Sequence, residues 1–212
     1  INVSSLICFN ARGLTVSVIA LVGAHLSNWE WSFSLPFVVN TTVFGAYNKL
    51  RNETFETTLK ESREKFGVKG ETTANFMKLM KKNFEDKVQG AYILLSDQSP
   101  HVEKTFYWCE FFGVKVPVHT GAEMLAKKYN LAVINYKSKK VKRGYYETEF
   151  ELIAENPNEF KDYKITEKFI EITEKNIHKQ PENYLWSHKR FKHKDRFEEW
   201  KKLQESRLKT KN

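Results

Sequence analysis

A histidine and a glutamate near the start of the chain have the chemistry that proton transfer needs. Residues 15–22 form a β-branched, almost wholly apolar run, which predicts a buried strand. His25 follows that run after Gly23, and Glu30 lies five residues further on. An imidazole accepts protons near neutral pH, and a carboxylate can fix its tautomer. The spacing therefore predicts that His25 acts as a general base and that Glu30 orients it.

The spacing also restricts the local geometry. Residues five apart on a continuous helix point about 140° away from each other. His25 must therefore precede the helix predicted over residues 29–35, which Asn28 can cap. No Ser or Cys is placed as a nucleophile, so a substrate hydroxyl would attack directly. A lone histidine beside an apolar strand is also often structural, and the spacing alone leaves both interpretations open.

Further polar candidates lie in two loops and a helix. Asp97 follows the apolar run 91–95, and ligands bind at the carboxyl ends of strands in α/β sheets. Asp97 could accept hydrogen bonds there, or could simply be a turn residue. Lys49, Arg51 and Arg63 could pair with phosphate oxygens, or could belong to a solvated loop and helix face.

Strand and helix patterns alternate along the rest of the chain. This predicts an α/β protein: a single domain with a mixed, mostly parallel sheet flanked by helices. Further strands are predicted over residues 37–40, 43–47, 91–95, 131–136 and 146–153, a strand or a hairpin over 106–112, and further helices over 53–66, 73–85, 122–128 and 166–178.

Composition limits the classes of function. The net charge is +9, and Lys and Arg outnumber Asp and Glu by ten to four over residues 188–212. Such a basic tail favours anionic partners. Two cysteines indicate a reducing compartment, and no metal-ligand motif is visible. The apolar run 14–24 is too short to cross a bilayer.

Six sequence blocks, in order, carry a resemblance to a known family. The turn at 23–30 (Gly-Ala-His-Leu-Ser-Asn-Trp-Glu) resembles the signature of the bacterial lipid A late acyltransferases, within the His-x4-Asp/Glu glycerolipid acyltransferase superfamily. The other five blocks similar to that family are Tyr-Asn-Lys-Leu-Arg-Asn at 47–52, Arg-Glu-Lys-Phe-Gly at 63–67, Asp-Gln-Ser-Pro at 97–100, Pro-Val-His-Thr-Gly-Ala-Glu-Met-Leu-Ala at 117–126 and Pro-Glu-Asn-Tyr-Leu-Trp-Ser-His-Lys-Arg-Phe at 181–191.

The resemblance implies the reaction and its site. It implies acyl transfer from an acyl thioester, on an acyl carrier protein or coenzyme A, to a hydroxyl of a lipid A precursor, with no cofactor and no metal. His25 is then the general base and Glu30 its orienting acid. Substrate contacts are implied for Asn28, Lys49, Arg51, Arg63, Asp97 and Arg190, with Trp186, His188 and Arg190 at the rim. Asn48 and Lys49 stand where the family usually has Arg and Pro.

The resemblance also implies location and extent. We expect residues 1–195 to form the acyltransferase domain and 196–212 a basic helical tail. The chain begins with Ile1, so we expect a missing membrane-proximal segment that anchors it to the cytoplasmic face of the inner membrane.

Two alternatives stay open from the sequence. The acceptor could be another lipid, such as a lysophospholipid or an aminolipid. Alternatively, the tail with Phe197 and Trp200 could bind nucleic acid by stacking bases. Asp195, Glu198 and Glu199 interrupt the basic run, and no nucleic-acid motif is present, so nucleic acid is not the expected partner.

Overall fold

A computed structural model describes residues 18–37 and 39–209. Predictions that concern residues 1–17, 38 and 210–212 lie outside these ranges. The strands are β1 (Val18–Gly23), β2 (Thr42–Tyr47), β3 (Lys69–Thr72), β4 (Gly90–Leu95), β5 (Tyr107–Phe111), β6 (Val114–Val118), β7 (Ala132–Lys142) and β8 (Tyr145–Ala154). The α-helices are α1 (Glu53–Glu64), α2 (Thr73–Glu85), α3 (Gly121–Tyr129), α4 (Lys164–Lys179) and α5 (Phe197–Lys209).

Six of these strands form one sheet in the order β3-β2-β4-β1-β7-β8. All neighbours in it are parallel except β7 and β8. β5 and β6 form a separate antiparallel hairpin. The prediction of an α/β protein with a mixed, mostly parallel sheet flanked by helices is therefore confirmed.

The sheet buries both of its faces because its central strands are apolar on both sides. Ala20 and Val22 of β1 belong to one core cluster, whereas Leu21 between them belongs to the other. This is the period of two that a strand imposes on its side chains. Residues of α2, α3 and α4 fill the first cluster, and Phe33 from the segment after β1 fills the second.

The segment after β1 differs from the sequence prediction. The helix predicted over residues 29–35 is a 3₁₀ helix, Trp29–Phe37, and Pro36 lies inside it instead of ending it. Trp29, Trp31 and Phe33 lose side-chain freedom in an α-helix, which disfavours a regular α-helix over this segment. Since Phe37 is helical, the strand predicted over 37–40 is wrong, and β2 begins at Thr42.

Other elements agree more closely. α2 spans the predicted residues, and Asn52 caps α1 by accepting a hydrogen bond from the Phe55 N–H at 3.1 Å. The short strand β3 was not predicted, because its residues Lys-Gly-Glu-Thr have no apolar pattern. In the parts of the chain that the structure describes, no helix is long and apolar enough to cross a membrane.

Gly23 ends β1 and allows a close approach of the neighbouring strand. A Cβ at this position would lie 2.5 Å from two ring carbons of Tyr136, whose side chain is buried. We expect Gly23→Ala to destabilise the fold by about 1–3 kcal/mol, because a packed core resists added volume. Urea unfolding measures this loss. Gly121→Ala is the matched control, since a Cβ there meets open space, and equal stability of the two variants would contradict the prediction.

Candidate functional site

The two strands at the centre of the sheet bring His25 and Asp97 together. Gly23 of β1 pairs with Leu95 of β4 in parallel register, and each functional residue lies two positions further on. His25 Nδ1 is 2.7 Å from Asp97 Oδ1. Since an ionised carboxylate only accepts hydrogen bonds, Nδ1–H is the donor and the Nε2 lone pair is left available.

Asp97 is held as a buried carboxylate. Its side chain is 2% exposed, compared with 14% for the His25 side chain. Burial opposes ionisation of Asp97, but the hydrogen bond and the charge of His25, together with backbone N–H groups, bring the pKa of this carboxyl below its ordinary value. In turn, burial and the neighbouring Asp97 raise the pKa of Tyr184. The pair therefore has a fixed, charged end inside the protein and a more accessible imidazole end.

A segment from late in the chain fixes the turn that carries His25. The His25 carbonyl accepts from the Leu185 N–H at 3.1 Å, and the Ser27 N–H donates to the Asn183 carbonyl at 2.7 Å. Ser27 has a φ of 54°, a left-handed conformation that these flanking bonds support. The sequence block at 181–191 thus positions the histidine through its backbone.

The outward nitrogen of His25, Nε2, has a polar neighbour in the turn after β4. The side-chain amide nitrogen of Gln98 lies 3.4 Å from Nε2. The Trp29 ring meets the imidazole edge to face, with centroids 4.8 Å apart. Trp29 and Asp97 thus hold the ring while Nε2 faces Gln98. This end of the imidazole is where a substrate hydroxyl would have to bind.

The contact predicted between Glu30 and His25 is replaced by a different one. Both carboxylate oxygens of Glu30 accept hydrogen bonds from Arg63, at 3.1 Å from Nε and 2.7 Å from Nη2. Asp97 occupies the position on Nδ1 that the sequence spacing assigned to Glu30. The reason is the sheet register, which places Asp97 directly beside His25, whereas the 3₁₀ helix directs Glu30 toward α1.

Arg63 is therefore brought to the site by Glu30. Its guanidinium carbon lies 5.4 Å from the centre of the Phe33 ring and 6.0 Å from that of Trp29. Its side chain is 22% exposed. A guanidinium has five N–H donors, so Arg63 keeps donors beyond the two that Glu30 accepts. Arg63 is thus a fixed cation next to the ring that packs on His25.

Arg190 does not lie at the rim where the sequence placed it. Its side chain is buried, donates to the Pro117 carbonyl at 3.0 Å and lies over the Phe111 ring. Burial lowers the pKa of Arg190, and nearby Tyr184 and Asp97 oppose that effect. The structure thus places Arg190 inside the protein, and its contact with substrate stays a prediction.

The remaining predicted residues lie at the same edge of the sheet. Lys49 and Arg51 are exposed in the loop after β2, two strands away from β1. Asn28 accepts from the Trp31 N–H at 3.1 Å through its carbonyl, which opens the 3₁₀ helix. The roles of Asn28, Lys49 and Arg51 in substrate binding stay predictions.

His188, predicted at the rim, contacts the turn that carries Asp97. It accepts the Ser99 N–H at Nε2, 3.0 Å away, and burial followed by the Lys192 charge lowers its pKa. Gln98 and Tyr184 were not predicted as site residues, although both lie in blocks that resemble the family. Their positions could not be predicted from the sequence, because Gln98 lies near His25 and Tyr184 near Asp97 across more than 70 residues of chain.

The C-terminal tail is helical, as predicted, and it packs against the β5–β6 hairpin. The rings of Phe197 and Trp200 lie 5.3 and 6.1 Å from that of Trp108, and Trp200 Nε1 donates to the Thr105 carbonyl at 3.0 Å. Aromatic rings packed in this way are engaged inside the protein, which removes support from base stacking. Among the described residues, no group of His, Cys, Asp and Glu could hold a metal ion.

The structure thus places a buried acid in contact with a partly exposed histidine at the carboxyl edge of a mixed, mostly parallel α/β sheet. Residues 11–193 match the model of the bacterial lipid A biosynthesis acyltransferase family. The chain therefore belongs to that family, which implies acyl transfer in lipid A biosynthesis. A comparison with curated proteins gives no match.

Proposed function

We propose that the chain transfers a fatty acyl group from an acyl thioester to a hydroxyl of a lipid A precursor, with His25 as the general base. The supporting observation is the 2.7 Å contact between His25 Nδ1 and the buried Asp97 carboxylate. That contact leaves Nε2 able to accept the hydroxyl proton. Membership of the family supports the reaction class.

The proposed reaction runs in two steps. The acceptor oxygen attacks the thioester carbonyl carbon as its proton moves to His25 Nε2. The resulting tetrahedral oxyanion collapses, the carbon–sulfur bond breaks, and the thiolate leaves and takes the proton back from His25. Asp97 stabilises the transient imidazolium, as the acid does in a catalytic triad.

The oxyanion needs hydrogen-bond donors close to His25. We propose the side-chain amide of Gln98, which lies 3.4 Å from Nε2, and the guanidinium of Arg63, which Glu30 holds rigidly. Backbone N–H groups near Asn28 are a third source. Preorganised donors of this kind stabilise developing charge without reorganisation. In this proposal Glu30 positions Arg63 and does not act on the histidine.

Anionic groups of the substrates would bind the cations around the site. Lys49 and Arg51 are exposed at the same edge as His25 and suit the phosphates of a lipid A precursor or of coenzyme A. We propose that the acyl donor is a thioester, carried by either an acyl carrier protein or coenzyme A. We further propose that the protein works at the cytoplasmic face of the inner membrane.

The direct test uses the purified chain, a lipid A precursor and each of the two thioester donors. We expect release of the free thiol. We also expect mass spectrometry to show that the mass of the precursor increases by one acyl group. Acyl transfer to a lysophospholipid or an aminolipid, but not to the lipid A precursor, would support the proposed reaction with a different acceptor lipid. No thiol release and no mass gain with either donor would contradict the proposal.

A further inference from the structure

A long hairpin rises beside His25 at the carboxyl edge of the sheet. β7 pairs with β1 only as far as Tyr136, opposite Gly23, whereas β7 continues to Lys142 and returns as β8 from Tyr145. The six residues of β7 beyond Tyr136 span about 20 Å at the rise of an antiparallel strand. The hairpin therefore extends past the end of the strand that carries the histidine.

The lower part of this hairpin is supported by the rest of the protein. The Lys140 backbone exchanges hydrogen bonds with the Gln180 side chain, and the rings of Trp31 and Tyr146 lie 5.4 Å apart. Lys137 forms an ion pair with Glu149 across the hairpin at 2.8 Å. We call the next five residues, 141–145, the hairpin tip. All five are exposed.

The hairpin tip combines apolar and cationic groups. Val141 is 53% exposed and Tyr145 is 61% exposed. Lys142 lies over the Tyr145 ring at 4.2 Å, and Arg143 follows it in the turn. Among the described residues, no ion pair joins either cation to a carboxylate. Exposed aliphatic and aromatic groups beside unpaired cations are the composition of a surface that enters an anionic lipid interface.

A second exposed segment of similar composition lies on the other side of His25. Residues 48–55, between β2 and the first turn of α1, are all exposed. Their charged residues are two cations, Lys49 and Arg51, and one anion, Glu53. Leu50 is 40% exposed and Phe55 is 66% exposed. β2 and β7 are three strand spacings apart, or about 14 Å. The two segments therefore lie on either side of β1 and of the turn that carries His25.

From this arrangement we infer that the carboxyl edge of the sheet docks on an anionic lipid bilayer through the hairpin tip and residues 48–55, so that His25, which lies between them, faces the membrane. This rests on the proposed function, because a lipid acceptor would enter between the two segments. The observations favour a bilayer over an acidic protein because both segments expose apolar side chains next to their cations, Val141 and Tyr145 in one and Leu50 and Phe55 in the other. The C-terminal tail, by contrast, has its aromatic residues packed against Trp108.

The test is sedimentation of the full chain with vesicles of phosphatidylcholine containing 30% phosphatidylglycerol by composition, compared with pure phosphatidylcholine. We expect binding to the anionic vesicles that weakens as salt increases. Lys142→Gln with Arg143→Gln should weaken it about 25-fold, the effect of two cations at an anionic surface. Val141→Ser with Tyr145→Ser should weaken binding and leave acyl transfer to detergent-solubilised substrate unchanged.

The matched control is Lys194→Gln with Lys202→Gln, which neutralises two exposed cations in or next to the tail. Unchanged binding of this variant supports the inference. Loss of binding in the tail variant alone would place the membrane contact on the tail and overturn it, as would no binding by the unaltered chain. Hairpin-tip variants that bind vesicles normally but lose an acidic acyl carrier protein would also overturn it. Vesicle binding without acyl transfer would contradict only the proposed function.

Discussion

Replacing His25 with alanine should lower the turnover rate of acyl transfer by about a hundred- to ten-thousand-fold, the usual contribution of a positioned general base. The proton of the acceptor hydroxyl then has no acceptor on the protein. Substrate binding should change little, because the cations assigned to anionic groups remain in place. The measurement is thiol release at saturating donor and acceptor, with the Michaelis constants determined separately.

His25→Ala needs a control for folding, since the His25 side chain is only 14% exposed. The backbone contacts of the turn, from Leu185 to the His25 carbonyl and from Ser27 to Asn183, do not use the imidazole and should persist. The thermal midpoint of unfolding should therefore stay close to that of the unaltered chain. A folded His25→Ala protein with a normal turnover rate would eliminate the mechanism.

Several parts of this fold can be read from the sequence because they depend on local patterns. The apolar run before Gly23 and the polar turn at Asp97 both predicted strand ends, and α2 has the predicted bounds. These features are set by periodicity, capping and strand length, which act within a few residues. The class of fold follows from their alternation.

The partner of His25 could not be read in the same way. Glu30 is close to His25 along the chain, and Asp97 is 72 residues away. Which carboxylate contacts His25 depends on which strands are neighbours in the sheet. The strand that precedes Asp97, β4, lies between β2 and β1. If β1 and β4 had been predicted as neighbours, the contact would have followed, because His25 and Asp97 each lie two residues beyond the end of their strand. The burial of Arg190 likewise depends on where the last loop crosses the hairpin of β5 and β6.

Replacing Asp97 with asparagine should lower turnover by about a hundred- to ten-thousand-fold, although the side chain keeps its shape. An amide can donate toward Nδ1, which would favour the tautomer with the proton on Nε2, where the base must be free. It also removes the charge that stabilises the imidazolium. The measurement is again turnover at saturating substrates, with unfolding followed by urea to show that the buried site tolerates the change.

Glu30→Gln is the comparison that separates the two carboxylates. Because Glu30 accepts hydrogen bonds from Arg63 and its side chain is 38% exposed, its loss should loosen Arg63 and reduce turnover by about tenfold at most. A larger loss in Glu30→Gln than in Asp97→Asn would restore Glu30 as the acid that acts on the histidine. Equal and small losses in both would mean that the imidazole needs no orienting carboxylate. The expected order, with Asp97 much more sensitive than Glu30, follows from which of the two touches Nδ1.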